Sequence, residues 1–381
     1  MNDLGEKEIR AALTARREPA YRAKQICEWL YRRRAKTFDE MTNLPAALRA
    51  ELAGSFTIIR LEKTKEMVSA KDGTIKFLLR LPDGNHIESV FLPHPRGATL
   101  CISTQVGCAF GCRFCATGKM GLKRDLSPGE IVDQVLFTKE YLEARIGAGR
   151  TGLEGPILEA QDRQRSDPDL PDEDERAGRH AGAQASEGAR PFTNIVLMGM
   201  GEPLANYENV VKAIEILIKE AGIGARRITV STAGVADKIM QLADLPYEIG
   251  LAISLNSPND DIRREIMPVA GRTPLSKLLA AARYYYAKQG RMLTFEYVLI
   301  PDLNDSIRDA HALADLLRDL PAKINLIMVN PFPGCPYMRV GETNVKRFES
   351  ILHQRGKKAT LRRSLGCDIL AGCGQLGQDL K

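Results

Sequence analysis

The sequence predicts an α/β fold built on a parallel sheet, in the form of a full or partial TIM-like barrel, and three observations predict it. Six apolar segments with strand character, "ATLCIST", "NIVLMGM", "RITVSTA", "EIGLAISL", "LTFEYVLI" and "KINLIMVN", follow one another between residues 98 and 330. Amphipathic stretches such as "SPGEIVDQVLFTKEYLEA", "NYENVVKAIEILIKEAG" and "SIRDAHALADLLRDL" separate them. Strands linked through helices run parallel. Polar residues follow the strands (Glu202, Ser231, Ser254, Asn256 and Asn330), and the strand C-termini are where barrel sites gather.

The elements justify themselves in order. Residues 1–55 have helical periodicity: "AYRAKQICEWLYRRR" sets Ile26, Trp29 and Leu30 on one face and basic residues on the other, so a small N-terminal helical domain is expected. Residues 56–100 read as a β-hairpin extension and linker, because "TIKFLLRL" and "HIESVFLP" flank "PDGN" with its Asp83-Gly84 turn signal. Residues 101–375 hold the barrel and its closing loop, and 376–381 form a short tail. The stretch 146–190 is rich in charge, Gly and Ala and lacks aromatics, so a disordered insertion or a partner-binding tail is expected there.

The chain has 381 residues, 44% of them apolar, enough for a sizeable core. No run of about 18 apolar residues occurs, and the charged N-terminal stretch lacks the apolar centre of a signal peptide; a cytoplasmic protein without membrane contact is expected. Eight cysteines in such a chain point to metal or redox chemistry rather than to a disulfide scaffold. The net charge is +6, with basic clusters at 31–36, 123–125, 224–227 and 355–363 that suit a polyanion such as RNA, or are solvated helix ends.

Four of the cysteines crowd into "CISTQVGCAFGCRFCATGKMG". Cys108, Cys112 and Cys115, spaced C-x3-C-x2-C, can ligate three irons of a 4Fe-4S cluster and leave the fourth open to a small chelating molecule. A zinc site would pair two knuckles, and no second knuckle follows.

"CAFGCRFC" is similar to the radical S-adenosylmethionine (SAM) signature, and "MGMGEPL" resembles that superfamily's GGEP motif. With "RAKQICEWLYRRRAKTFDEMTNLPAALRAEL", "ISLNSPNDDIRREIMP", "KINLIMVNPFPG" and "RRSLGCDILAGCGQL", the chain resembles the dual-specificity adenine carbon-2 RNA methyltransferases of the RlmN type, outside residues 146–190. The resemblance implies a radical-SAM partial (βα)6 barrel whose N-terminal helices bind RNA. It implies methylation of carbon 2 of adenosine in 23S rRNA and in tRNA next to the anticodon, with two SAM per turnover. Cys373 would carry an S-methylcysteine intermediate, Cys101 would form a transient disulfide with it, and Glu88 would accept the proton. Gly201, Glu202, Ser231, Ser254, Leu255, Asn256 and Asn330 would contact SAM. A flavodoxin- or ferredoxin-type reductant and a monomeric state are also implied. A relative that methylates carbon 8 shares the cysteines, and a non-catalytic Fe-S protein that binds RNA would need neither Cys101 nor Cys373. Read by alternation alone, Glu88 is an exposed strand residue; Cys335 and Cys367 have no role in the family.

Overall fold

The computed structural model describes residues 1–94, 97–147 and 191–380. The insertion expected over 146–190 therefore lies, from residue 148 on, outside the described residues. Ten strands make one sheet: β1 (Glu62–Val68), β2 (Ile75–Arg80), β3 (His86–His94), β4 (Gly97–Cys101), β7 (Asn194–Leu197), β8 (Ile228–Thr232), β9 (Gly250–Ser254), β10 (Leu293–Leu299), β11 (Ala322–Met328) and β12 (Lys358–Leu361), adjacent in that order. A separate ribbon pairs β5 (Gln105–Cys108) with β6 (Gly121–Asp125). β1 to β4 are antiparallel, and β4 onward is parallel. The six expected strands are all present, in an open sheet rather than a closed barrel.

Two edge strands exceed the expectation. β1, "EKTKEMV", and β12, "KATL", are too polar to read as strands, which is how sheet edges avoid pairing with strangers. The extension is thus three-stranded rather than a hairpin, and the parallel run has seven strands.

Among the described residues three α-helices, α1 (Glu6–Thr14), α2 (Arg22–Cys27) and α3 (Ala46–Ser55), precede the sheet, and α2 runs on into a π-helical turn at Glu28–Arg32. The loop after β5 carries α4 (Ala116–Lys119), and α5 (Pro128–Gly147) follows β6. The crossovers are α6 (Tyr207–Lys219), α7 (Ala236–Ala243), α8 (Asp260–Ile266), α9 (Leu275–Gln289), α10 (Ile307–Leu316) and α11 (Glu342–Gln354). Local chemistry sets their ends: Ser306 and Asp309 form a reciprocal capping box on α10, and α9 stops at Gly290, whose φ of 65° suits glycine.

Ile9, Leu13, Ile26 and Leu30 of the N-terminal helices share one apolar core with the sheet. Arg60 locks them to α5, reaching Asp133 Oδ1 at 2.7 Å and the Ala35 carbonyl at 2.6 Å. No described helix is long and apolar enough to cross a membrane.

Candidate active site

The cysteine loop is framed by the β5–β6 ribbon. Gly107 has φ 78°, and a Cβ there would lie 1.9 Å from the Gly121 carbonyl oxygen, so glycine is obligatory. Gly107→Ala is expected to destabilise the ribbon by more than about 2 kcal/mol, lowering the melting temperature by several degrees and, with it, iron uptake. An unchanged melting curve would contradict this.

Cys108, Cys112 and Cys115 line one cavity together with Gly201, Glu202, Ser231, Ser254, Asn330 and Cys373. The structure thus joins the loop to residues at the ends of four strands. The GEP segment is held close: Glu202 N–H donates to Gln105 Oε1 at 2.8 Å, and a Cβ on Gly201 would sit 2.6 Å from the Gln105 Cβ. Glu202 accepts from the backbone N–H groups of Leu204 (3.0 Å) and Ala233 (2.8 Å), tying the β7 and β8 loops. Burial pushes its carboxyl up to about 7.

Leu255 and Asn256 are not brought to this cavity. Both are fully buried behind its wall, and the Asn256 amide is committed, accepting from Val298 N–H at 2.8 Å and donating to Met267 Sδ at 3.1 Å. Their strand-end position resembled that of the other candidates, and only the packing distinguishes them.

Cys373 arrives from the C-terminus. Gly374 and Leu376 accept from the Ala116 N–H at 2.7 Å and the Thr117 hydroxyl at 2.7 Å, clamping the two loops together, while Asn330 Nδ2 donates to the Cys373 carbonyl at 3.0 Å. Cys373 is exposed and also lines a second cavity, which it shares with Cys101 and Arg362. Cys101 is buried at the end of β4, and burial first, then the neighbouring Cys373, raises its thiol to about 12. All eight cysteines are free thiols, so no disulfide joins this pair here.

Glu88 lines neither cavity. It is fully buried rather than exposed, 3.6 Å from the Lys76 ammonium, and accepts from Gly377 N–H at 2.9 Å. The C-terminal segment covers this face of β2 and β3, a burial that strand alternation alone does not reveal.

Arg362, at the end of β12, lines both cavities and was missed among the candidates. It lay inside a cluster assigned to polyanion attraction, yet it turns inward to Glu296 at 3.8 Å, and facing Cys373 raises its basicity. The other clusters are also partly spent: Arg34 pairs with Glu143 and Arg33 with Glu28 at 2.6 and 2.7 Å, and Arg124 with Asp83 and Glu130. Arg32, Lys123, Lys358 and Arg363 form no ion pair among the described residues.

The donor set suits an iron–sulfur cluster. Burial first, and then the neighbouring thiols, push Cys112 well above the usual thiol range, so thiolates here need a cationic partner. Among the described residues no three His, Cys, Asp or Glu side chains close around a single metal ion, and the three thiols line one cavity.

A parallel α/β sheet with three loop cysteines and a glycine-rich GEP segment at its strand ends defines a radical SAM enzyme. Residues 170–314 match the Radical SAM superfamily, and residues 1–58 match the ribosomal RNA large subunit methyltransferase N-terminal domain, RlmN_N. The chain is 41% identical to the dual-specificity RNA methyltransferase RlmN of Anaeromyxobacter dehalogenans (strain 2CP-C), covering 100% of this chain and 92% of that one. It is 43% identical to the probable dual-specificity RNA methyltransferase RlmN 3 of Opitutus terrae, covering 97% and 91%. Among solved structures, a radical SAM methyltransferase from Sphaerobacter thermophilus superposes with a TM-score of 0.82 at 42% identity, covering 99% of this chain and 98% of that one. The chain belongs to the RlmN family of dual-specificity RNA methyltransferases and is a SAM-dependent methyltransferase.

Proposed function

We propose that this enzyme methylates carbon 2 of adenosine in 23S rRNA and in tRNA next to the anticodon, through a methyl group carried on Cys373. The observation that carries the reading is that Cys373 lines both cavities, the one with the three loop cysteines and the one with Cys101. Cys108, Cys112 and Cys115 would hold a 4Fe-4S cluster, which would supply the electron for reductive cleavage of SAM. Gly201, Glu202, Ser231, Ser254 and Asn330 hold SAM beside it. The reductant is of flavodoxin or ferredoxin type, and the enzyme works as a cytoplasmic monomer.

The sulfur of Cys373 takes a methyl from one SAM by displacement, two SAM being used per turnover, and keeps that carbon where it can be joined to the base. Carbon 2 is a poor nucleophile with no neighbouring group to activate it, so a carrier sulfur and radical chemistry replace direct polar transfer. Joining that carbon to carbon 2 costs the methyl one hydrogen atom, which the radical derived from the second SAM would take, and frees one electron, which would return to the bound cluster or its reductant; Glu88 accepts the carbon-2 proton. Cys101 then attacks the Cys373 sulfur: an S–S bond forms, the S–C bond breaks, and its electron pair goes to the departing carbon, which takes a proton. A thiol reductant resets the disulfide. Arg362 lines the cavity that holds both sulfurs, and its charge offsets part of the cost of a thiolate at Cys101. The target base must leave its stack to reach this site.

Mass spectrometry of rRNA and tRNA from cells that depend on this chain is expected to show 2-methyladenosine. A product carrying only 8-methyladenosine would overturn the reading.

A further inference from the structure

Lys76 is fully buried on β2, where alternation in "TIKFLLRL" gives it no apolar role. Its ammonium donates to the Leu370 carbonyl at 3.0 Å and to Asp379 Oδ2 at 2.6 Å, and lies 3.6 Å from Glu88 Oε1. Leu370 and Asp379 stand on the two sides of Cys373 in the chain, and Gly377, between Cys373 and Asp379, donates to the other Glu88 oxygen. Glu88 Oε1 has no hydrogen-bond partner of its own. A lysine taken wholly out of water is costly unless its charge is used.

We propose that Lys76 is a positioning residue of the methyl transfer: from one buried point its ammonium fixes both arms of the Cys373 loop and supplies the countercharge that Glu88 needs to act as a base. The inference rests on the reading of Glu88 as proton acceptor. In that step the C2–H bond breaks, the proton goes to a Glu88 oxygen, and the electron pair stays with the base.

The charged and polar groups that face Glu88 are Lys76 from β2 and, from the C-terminal segment, Asp379 and the Gly377 N–H; Lys65 on β1 holds Asp379 from outside at 3.3 Å. Burial raises the Glu88 carboxyl above its ordinary range, Lys76 opposes that rise, and Asp379 adds to it. Removing Lys76 therefore pushes Glu88 further up, and removing the charge of Asp379 lets it fall.

The test is the pH dependence of release of the covalent enzyme–RNA adduct, followed on denaturing gels after anaerobic reaction of cluster-loaded enzyme with SAM and a tRNA substrate. Lys76→Met is expected to slow release about 100-fold at neutral pH and move its midpoint to higher pH, with Lys76→Arg restoring most of the rate. Asp379→Asn, a milder change at a partly exposed residue, is expected to move the midpoint to lower pH. It keeps the inference testable should Lys76→Met fold poorly. A purely mechanical clasp would slow the reaction without moving either midpoint, and that result, or shifts of the same sign in both variants, overturns the proposal. Glu88→Gln separates the two readings. If it releases RNA like the parent enzyme, Glu88 is not the acceptor and both fall; if it stalls while the Lys76 and Asp379 midpoints stay fixed, only the role of Lys76 falls.

Discussion

Cys101→Ala will leave the enzyme joined to its RNA through Cys373. Cys101 lines the cavity that Cys373 also faces, and it sits on a strand end fixed by β4–β7 pairing, where Cys101 is in register with Val196. Its thiol is buried and raised in pKa, so it stays protonated and quiet until Arg362 and the adduct draw it into reaction. Cys367 is a poor substitute, because its Sγ is held by Asn330 Oδ1 at 3.4 Å and by the Ser364 carbonyl at 3.6 Å. Without Cys101, release should slow on the order of 10⁶-fold, the scale of losing a catalytic nucleophile. A denaturing gel would show one RNA-bound band whose mass equals enzyme plus RNA plus a one-carbon bridge. Free methylated RNA at the parental rate, with no such band, would sink the two-cysteine scheme.

Cys112→Ala should abolish iron loading and all radical chemistry while sparing the fold. The loop does not need the metal to keep its path: Arg113 N–H donates to the Ile266 carbonyl at 2.9 Å, and Ala116 N–H to Gly374 at 2.7 Å. Replacing the thiol of one half-buried cysteine by hydrogen changes little volume, so the melting temperature should move by only a few degrees in the metal-free protein. Iron and sulfide should fall to background after reconstitution, and 5′-deoxyadenosine should not form with SAM and dithionite. Full iron loading of the variant would remove Cys112 from the ligand set.

Much of the fold is legible locally. The strands "NIVLMGM" and "KINLIMVN" are short apolar runs bounded by breakers, and their positions in the sheet follow from the helices between them. β1 and β12 are not legible, because an edge strand needs hydrogen bonds from one neighbour and no apolar side chains to bury. In the site, the C-x3-C-x2-C spacing acts within one loop and speaks for itself, whereas Arg362 and Lys76 look like ordinary surface charges until the chain is folded around them. Asn256 is a polar residue at a strand end whose amide bonds Val298 and Met267, partners the sequence does not reveal.

The sequence by itself determined the parallel sheet, the three-thiol loop and the resemblance that names the chemistry, since periodicity and short spacings are properties of neighbours in the chain. Only the tertiary structure decided that Cys373 meets Cys101 and the loop thiols, that Glu88 is buried against Lys76, and that Leu255 and Asn256 stand behind the wall. The physical reason is distance along the chain. Lys76 and Leu370 are 294 residues apart and Thr117 and Leu376 are 259 apart, and their contacts exist only because the packed extension and the cysteine loop hold the C-terminal segment between them.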